Sequence, residues 1–328
     1  MTNLKIWSIL IITWVIIAST YIAIKISIDT IPPIFMSGIR YILSGLLLFF
    51  VYKLYSGNLF KNKTKFNEKQ SESSRDKHGL LEIINKKQWK AAIIVGILLI
   101  VCGQGLLAYG EQYLTSNITA LLFSTVPIWI ILISKFHYKE KLNKYTVLGI
   151  ILGSTGLAVL IYPSLEQIFF EDPNTKNDNQ NNFLGIIILL IAAISWAFGS
   201  IYSNNANLPD NVLVSTGMFL LTGGIFLLFT SIAIGEFNNI NFYEFSISSI
   251  SSVLYLIIVG SMGWVGFYWI LRNSTATLAN TFAYVSPVIA VLLGWLILNE
   301  SIDLRIIIAT VVIIIGVVFL VNKHKIKK

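Results

Sequence analysis

The stretch AYVSPVIAVLLGWLILNESI at residues 283–302 is apolar enough to lie in lipid, yet it contains Pro287 and ends close to Glu300. A second stretch, FSTVPIWIILISKFHYKEKL at residues 123–142, repeats this proline-to-glutamate spacing. A shift of 160 residues superposes four pairs: Pro127 on Pro287, Glu140 on Glu300, Gly103 on Gly263, and Gly156 on Gly316. Four matches at one offset indicate an internal repeat.

Around these stretches, windows of about 20 apolar residues alternate with short polar joints, which is typical of transmembrane helices. The chain has 328 residues, of which 55% are hydrophobic and only 12% are charged. An average soluble domain is about 25% charged. We predict ten spans, at residues 6–28, 33–54, 90–112, 116–136, 145–163, 183–204, 211–234, 250–271, 274–297 and 303–322.

Each repeat contains five spans, an odd number, so the second repeat must enter the membrane in the opposite direction to the first. The predicted fold is therefore an all-α integral membrane protein, with ten transmembrane helices arranged as two inverted five-helix repeats. The predicted divisions are a first repeat at 1–164 with a cytoplasmic insertion at 55–89, an outside linker at 165–182, a second repeat at 183–322 and a basic tail at 323–328.

The distribution of basic residues predicts the orientation of the chain. With the N-terminus placed in the cytoplasm, the cytoplasmic joints and tail hold 20 of the 24 Lys and Arg residues. This is the positive-inside bias of membrane proteins. The net charge of +8 therefore reflects topology and gives no reason to expect a nucleic-acid partner. We expect a multi-pass protein of the inner or plasma membrane with both termini in the cytoplasm.

Several short motifs carry a resemblance to a known family. They are STYIAIK and PPIFMSGIRY in the first repeat, SWAFGSIY in the second, the two proline-to-glutamate segments and the closing GVVFL. With them, nearly the whole chain outside 55–89 resembles the drug/metabolite transporter superfamily, in its ten-helix form with two EamA-type repeats. The resemblance implies a cytoplasmic-membrane transporter, usually an exporter of amino acids, other metabolites or toxic compounds.

The sequence lacks the motifs of enzymes and of cofactor sites. GQGLLA at 103–108 matches a dinucleotide-binding pattern formally, but it lies inside a span with no strand before it. There is no P-loop, no G-x-S-x-G and no H-E-x-x-H motif. Cys102 is the single cysteine, and the three histidines are scattered. We expect no enzymatic activity, no cofactor and no metal site.

Ionisable residues inside a span are costly, so each is a candidate for function. Arg40, Glu111 and Lys25 lie in the first repeat, in the half of the membrane predicted to face outward. One interpretation is that Arg40 binds a carboxylate while Glu111 exchanges a proton during transport. The alternative is an internal pair of Arg40 with Glu111, with Lys25 extending its amine to the surface.

Polar and aromatic residues near the two proline segments form a second set of candidates for substrate binding. They are Gln104, Tyr109, Tyr268, Asn280 and Tyr284, with the repeat-equivalent Tyr21 and Tyr202. Their side chains suit a cavity for a small, partly apolar solute. Trp196, Trp264 and Trp269 are either pocket wall or lipid-facing surface, and the sequence leaves both interpretations open.

The prolines and glutamates of the opening stretches are predicted to have structural roles. Pro127 and Pro287 each free one backbone carbonyl and mark a kink. Glu140 and Glu300 precede the next helix, and a carboxylate stabilises a helix N-terminus. Capping is therefore the preferred role for both glutamates, and a role in a gate is the alternative.

These features predict a secondary transporter that works by alternating access about a site at the midplane. Its partners would be a small-molecule substrate and the lipid bilayer, with protons as a candidate coupling ion. Two alternatives remain. One is a non-transporting sensor or scaffold that uses the basic 55–89 loop, and the other is a passive channel.

Overall fold

The structure is a computed structural model, which describes residues 3–64, 85–114, 119, 122–136, 144–170, 176–286, 288–289 and 304–321. Its helices are α1 Asn3–Ser27, α2 Pro33–Thr64, α3 Lys86–Gly110, α4 Val126–Phe136, α5 Lys144–Phe170, α6 Lys176–Asn205, α7 Val212–Ala233, α8 Ile247–Asn273, α9 Ala276–Ala279 and α10 Leu304–Val321. Two single turns of 3-10 helix, Glu236–Asn239 and Phe242–Glu244, lie between α7 and α8. Every regular element in the described ranges is helical, in agreement with the all-α prediction.

The lengths of the helices fit a membrane protein. A helix needs about 20 predominantly apolar residues to cross a bilayer. Six described segments meet this requirement: Ile6–Ser27, Pro33–Ser56, Lys86–Gly110, Phe183–Asn205, Val212–Ala233 and Ile247–Asn273. Three further apolar segments lie within α4, α5 and α10, at Val126–Lys135, Val147–Gly156 and Ile307–Gly316. The count of ten crossings stays a prediction, because parts of the fourth and ninth predicted spans lie outside the described residues.

The helices pair in a way that follows the internal repeat. Extensive contacts join α2 to α7, α5 to α10, α1 to α8, and α3 to α6. In the two repeats, α1 corresponds to α6, α2 to α7, α3 to α8 and α5 to α10. The α2–α7 and α5–α10 pairs therefore each join two equivalent helices. When α1 and α8 are replaced by their equivalents, α6 and α3, the result is the remaining observed pair. Two repeats related by a two-fold axis produce this pattern of contacts.

Equivalent helices run antiparallel to each other. Backbones come close together at Gly45–Gly217 and Gly38–Gly224 between α2 and α7, and at Gly149–Gly316 and Gly156–Ala309 between α5 and α10. In both pairs the residue number falls on one helix as it rises on the other. Because the two members of each pair are repeat equivalents, the repeats themselves are inverted.

A glutamate from the second repeat caps a helix of the first. The backbone N–H groups of Ile34 and Phe35, in the first turn of α2, donate to the Glu236 carboxylate at 3.2 and 2.8 Å. The Ser231 hydroxyl also donates to this carboxylate, at 2.9 Å. Gly235, with a φ of 82°, ends α7 in the left-handed conformation and directs Glu236 towards α2. The cap satisfies backbone donors that no helical carbonyl can reach.

Glu236→Ala is expected to lower the free energy of unfolding by about 1–2 kcal/mol, since it removes a charged cap from the N-terminus of α2. The matched control is Glu244→Ala. The exposed Glu244 carboxylate accepts from the Asn241 side chain at 2.7 Å, and its loss should change stability by less than about 0.5 kcal/mol. Thermal unfolding in detergent compares the two variants. Equal stability in both would show that the cap contributes nothing.

The predicted spans 116–136 and 274–297, which contain the two prolines, are each interrupted by a turn within the described residues. Helical structure at residues 122–123 gives way to a turn at 124–125, and α4 then begins at Val126. Pro127 therefore occupies the first turn of α4, where a missing N–H breaks no helical hydrogen bond. In the second repeat, a turn at 280–281 separates α9 from the helical residues 282–286. Pro287, Glu140 and Glu300 lie outside the described residues.

The predicted insertion at 55–89 is helical at both of its ends. Helix α2 continues to Thr64, beyond its predicted end at residue 54. Helix α3 begins at Lys86, and the Asn85 side chain caps it by accepting from the Lys87 backbone N–H at 3.2 Å. Residues 65–84, between these two helices, are outside the described residues.

Candidate functional site

A central cavity lies between helices of both repeats. Helices α1, α2 and α3 of the first repeat surround it together with α6, α8 and Phe282 of the second. Its volume of about 40 Å³ has room for a few water molecules. The lining residues are Ile16, Ile17, Thr20, Tyr21, Ile24, Arg40, Tyr41, Gln104, Trp196, Leu256, Gly260, Gly263, Trp264, Phe267 and Phe282.

The polar side of the cavity is a cluster of Arg40, Tyr41 and Gln104. The Arg40 Nη2 donates to the Tyr41 hydroxyl at 2.6 Å and to the Gln104 Oε1 at 3.3 Å. The Tyr41 hydroxyl donates to the same Gln104 oxygen at 3.1 Å. The guanidinium carbon also lies 4.4 Å from the centre of the Tyr41 ring, within range of a cation–π interaction. Arg40 is only 3% exposed, so its charge is held inside the protein by neutral groups.

A distortion of α3 positions Gln104. Between Gly96 and Gly105 the helix widens into a π-helix, in which the backbone N–H of Leu106 donates to the carbonyl of Val101 five residues earlier. This wide stretch packs against α6 and α7. Stretches of π-helix change which face a side chain occupies and are frequent at functional sites. Here the distortion coincides with the residue that contacts Arg40.

The opposite side of the cavity is aromatic. The ring of Trp196 lies 5.2 Å from Trp264, 5.4 Å from Phe267 and 6.0 Å from Phe282, measured between centroids. The Trp196 indole N–H donates to the Oδ1 of Asn280 at 2.7 Å, and the Asn280 amide donates to the Ala276 carbonyl at 2.8 Å. These bonds fix the orientation of the Trp196 ring. Of the two interpretations left open by the sequence, pocket wall applies to Trp196 and Trp264.

The structure brings three of the sequence-predicted binding residues to the cavity and places the others elsewhere. Arg40, Gln104 and Tyr21 line it. Asn280 lies behind Trp196 as its hydrogen-bond partner. Tyr268 packs on Phe219 at 5.5 Å. The remaining candidates are not among the lining residues, and they are Tyr109, Tyr202, Tyr284 and Glu111.

Tyr109 and Tyr284 have other surroundings. Tyr109 packs edge-to-face on Tyr113 at 5.8 Å between ring centres, and its hydroxyl accepts from the Tyr113 hydroxyl at 3.4 Å. Tyr284 is fully buried, and its ring covers Gly153 of α5 so closely that an added Cβ there would lie 3.0 Å from it. Tyr284 therefore joins α5 to the segment that follows α9.

Glu111 and Lys25 meet at one end of the bundle. The Lys25 Nζ donates to the backbone carbonyl of Glu111 at 3.0 Å, and the Glu111 side chain is fully buried. Arg40 contacts a hydroxyl and an amide, in place of the carboxylate that the ion-pair alternative requires. Glu111 interacts electrostatically with Tyr21, which lines the cavity. A proton-exchanging role for Glu111 stays a prediction.

Two polar lining residues, Tyr41 and Thr20, were absent from the sequence-based candidates. Each lies directly beside a candidate in the chain, next to Arg40 and Tyr21 respectively. Adjacent residues on a helix face directions about 100° apart, so the sequence pattern does not place both in one cavity. The available signal was the pair of polar neighbours, Arg40–Tyr41, inside an otherwise apolar span.

The chemistry of the cavity suits the binding of a small molecule. Its described lining offers a buried cation, three hydroxyls and an amide on one side, with aromatic rings on the other. Within the part of the chain that the structure describes, His, Cys, Asp and Glu side chains do not gather in groups of three or more that would hold a metal ion. The polarity of this lining matches that of a small solute with one polar end and one apolar end.

Comparison with known proteins identifies the family. A family model described as the EamA-like transporter family matches residues 5–162 and 183–322. The chain is 27% identical over 300 residues to the uncharacterized transporter YoaV of Bacillus subtilis (strain 168), covering 91% of this chain and 90% of that protein. It is 30% identical over 283 residues to the uncharacterized inner membrane transporter YedA of Escherichia coli (strain K12), covering 86% and 79%.

A solved crystal structure has the same fold, with a TM-score of 0.72 at 16% sequence identity and coverage of 99% of both chains. The family model accounts for both repeats, and the relatives span most of the chain. The protein therefore belongs to the EamA-like transporter family of the drug/metabolite transporter superfamily, and it is a multi-pass membrane transporter rather than an enzyme.

Proposed function

We propose that the protein is a secondary transporter that exports small metabolites, such as amino acids, or toxic compounds by alternating access. The observation that carries this proposal is the position of the central cavity, which helices of both inverted repeats line. When one repeat rocks against the other, a site at their junction opens to each side of the membrane in turn. The proposed coupling is proton exchange, with Glu111 as the titrating group.

The proposed location is the inner or plasma membrane, with both termini in the cytoplasm, and the contacts at the two ends of the bundle fit the predicted alternation of outside and inside joints. At one end, the Thr30 hydroxyl donates to Ser249 in the first turn of α8 at 2.9 Å, and both residues are predicted to lie outside. At the other end, Arg272 in the last turn of α8 forms a salt bridge with Asp210 at 3.0 Å, and both residues are predicted to lie inside. Residues assigned to the same side of the membrane therefore meet.

Transport is tested with purified protein in two steps. A thermal-shift screen against amino acids, purines, carboxylic acids and cationic drugs identifies solutes that stabilise the fold, since binding to the native state raises its stability. Proteoliposomes loaded with the best of these solutes should then take up the labelled solute by counterflow. Ohmic conductance without counterflow would indicate a channel, and absence of any flux would contradict the proposal.

Deleting residues 66–84 separates a transporter from a scaffold. The deletion leaves α2, which ends at Thr64, and α3, which begins at Lys86, intact. A short Gly/Ser linker bridges the gap. We expect the counterflow rate to stay within about twofold of the full-length protein, because none of the described cavity residues lies in this segment. Loss of counterflow in a folded variant would favour a function centred on the basic loop.

A further inference from the structure

The described lining of the central cavity has a net positive charge. Arg40 is the one charged residue in it, and none of the described lining residues is acidic. The other polar members are neutral: Thr20, Tyr21, Tyr41 and Gln104. A solute in this cavity therefore meets a single cation and no protein anion among these residues. Solutes with a negative charge are favoured and cations are disfavoured.

The bonding of Arg40 is incomplete for a buried cation. Its side chain is 3% exposed, and among the described residues its Nε has no hydrogen-bond partner. The described partners of its Nη2 are neutral oxygens, those of Tyr41 and Gln104. Buried charges are normally paired with an opposite charge. A guanidinium presents a planar set of donors that matches the two oxygens of a carboxylate. The group that best completes this site is a carboxylate.

In the structure, the neutral amide of Gln104 occupies the place proposed for that carboxylate. Its Oε1 accepts from both Arg40 and Tyr41, at 3.3 and 3.1 Å. A solute carboxylate would replace this amide oxygen as the acceptor for both donors and add the charge that the amide lacks. A glutamate at position 104 would supply the same charge from the protein itself. The identity of residue 104 thus decides whether Arg40 is available to a solute.

We propose that the Arg40–Tyr41–Gln104 cluster selects solutes that carry a carboxylate on a small apolar group, and that Gln104 is the residue that determines this selectivity. The carboxylate binds Arg40 and Tyr41, while the apolar group lies against Trp196 and its neighbouring rings. The proposal rests on the proposed transport function, since it names the substrate class of the same cavity. Ammonium groups are not required for recognition.

Three matched solutes test this selectivity. Valine has both charged groups, 3-methylbutanoate lacks the ammonium, and 2-methylpropylamine lacks the carboxylate. Binding to the purified wild-type protein is measured by isothermal titration and by quenching of tryptophan fluorescence. We expect saturable binding of valine and of 3-methylbutanoate, and binding of the amine weaker by about a hundredfold. Amine binding as tight as that of the two carboxylates would overturn the proposal.

Two substitutions at position 104 test the role of the amide. Gln104→Glu places a carboxylate against Arg40 and should weaken binding of both carboxylates by about tenfold to a hundredfold. Gln104→Met removes the competing acceptor and keeps the charge of the cavity, so it should bind them at least as tightly as wild type. The control is Gln112→Glu, at an exposed position whose amide donates to the Tyr109 carbonyl at 3.2 Å. It should not change affinity.

The binding measurements and the transport measurements test separate proposals. Unchanged carboxylate affinity in folded Gln104→Glu would overturn the selectivity proposal, as would lost affinity in folded Gln104→Met. If the wild type binds 3-methylbutanoate but counterflow assays detect no flux of any solute, the transport proposal fails and the binding site stands. If it carries amines by counterflow and binds no carboxylate, transport stands and the assignment of the cavity fails.

Discussion

Arg40→Gln is expected to reduce counterflow of the best-stabilising solute by about a hundredfold, because it removes the one cation in the described lining, to which we assign the solute carboxylate. The protein itself should remain as abundant in the membrane as the wild type. Its unfolding temperature should be equal or higher, since replacing a buried charge with a neutral group of similar shape removes a desolvation penalty. Flux in proteoliposomes and thermal unfolding in detergent measure the two effects.

The combination of lost flux and retained stability separates a binding role from a structural one. Arg40→Lys keeps the charge but loses the planar guanidinium, so it should retain partial transport. Arg272→Gln is the matched control, since Arg272 pairs with Asp210 and is not among the residues that line the cavity. It should leave flux within about twofold. A large fall in the unfolding temperature of Arg40→Gln, or unchanged flux, would contradict a substrate-binding role.

The sequence predicted the architecture well because the bilayer imposes simple rules on it. The length of each span follows from the thickness of a membrane. The 160-residue offset that aligns Gly156 with Gly316 marks two equivalent helices, which the structure places against each other. Arg40 was found for a similar reason, since a charge within an apolar span is costly and needs an explanation.

The sequence did not predict the π-helix, nor did it predict that Asn280 lies behind the cavity wall. The wide stretch at Gly96–Gly105 depends on contacts of α3 with α6 and α7, and its composition resembles that of any other span. Asn280 was assigned to the cavity because it is polar, yet it lies behind Trp196 and orients that ring. Hydrophobic periodicity indicates which face of a helix is buried, but it does not indicate how far a residue lies from a cavity. Tertiary packing decides both features.

Gly224→Leu is expected to prevent stable folding, since it forces apart the α2–α7 pair at the interface of the two repeats. A Cβ added to Gly224 would lie 2.7 Å from the backbone nitrogen of Ile42 and 2.9 Å from the carbonyl oxygen of Gly38. Real Cβ atoms do not approach backbone so closely, and backbone in a packed helix cannot move aside as a flexible side chain can. Small residues at such contacts let membrane helices approach backbone to backbone.

A graded series tests this explanation. Gly224→Ala should lower the free energy of unfolding by about 1–3 kcal/mol through overpacking, and Gly224→Leu should leave little folded monomer after extraction in mild detergent. Fluorescence-detected size exclusion and thermal unfolding measure both results.

The control for this series is Gly260→Ala on α8, where an added Cβ would lie 3.9 Å from the Thr20 methyl, an ordinary contact. Alanine favours a helix over glycine, so this variant should gain about 0.5–1 kcal/mol. The opposite signs are the informative result, because both changes add the same methyl group to a transmembrane helix. If Gly224→Ala were as stable as Gly260→Ala, the close α2–α7 contact would not hold the repeats together. The antiparallel pairing would then depend on α5 and α10, where Gly316 makes a similarly close approach to Gly149 and Gly153.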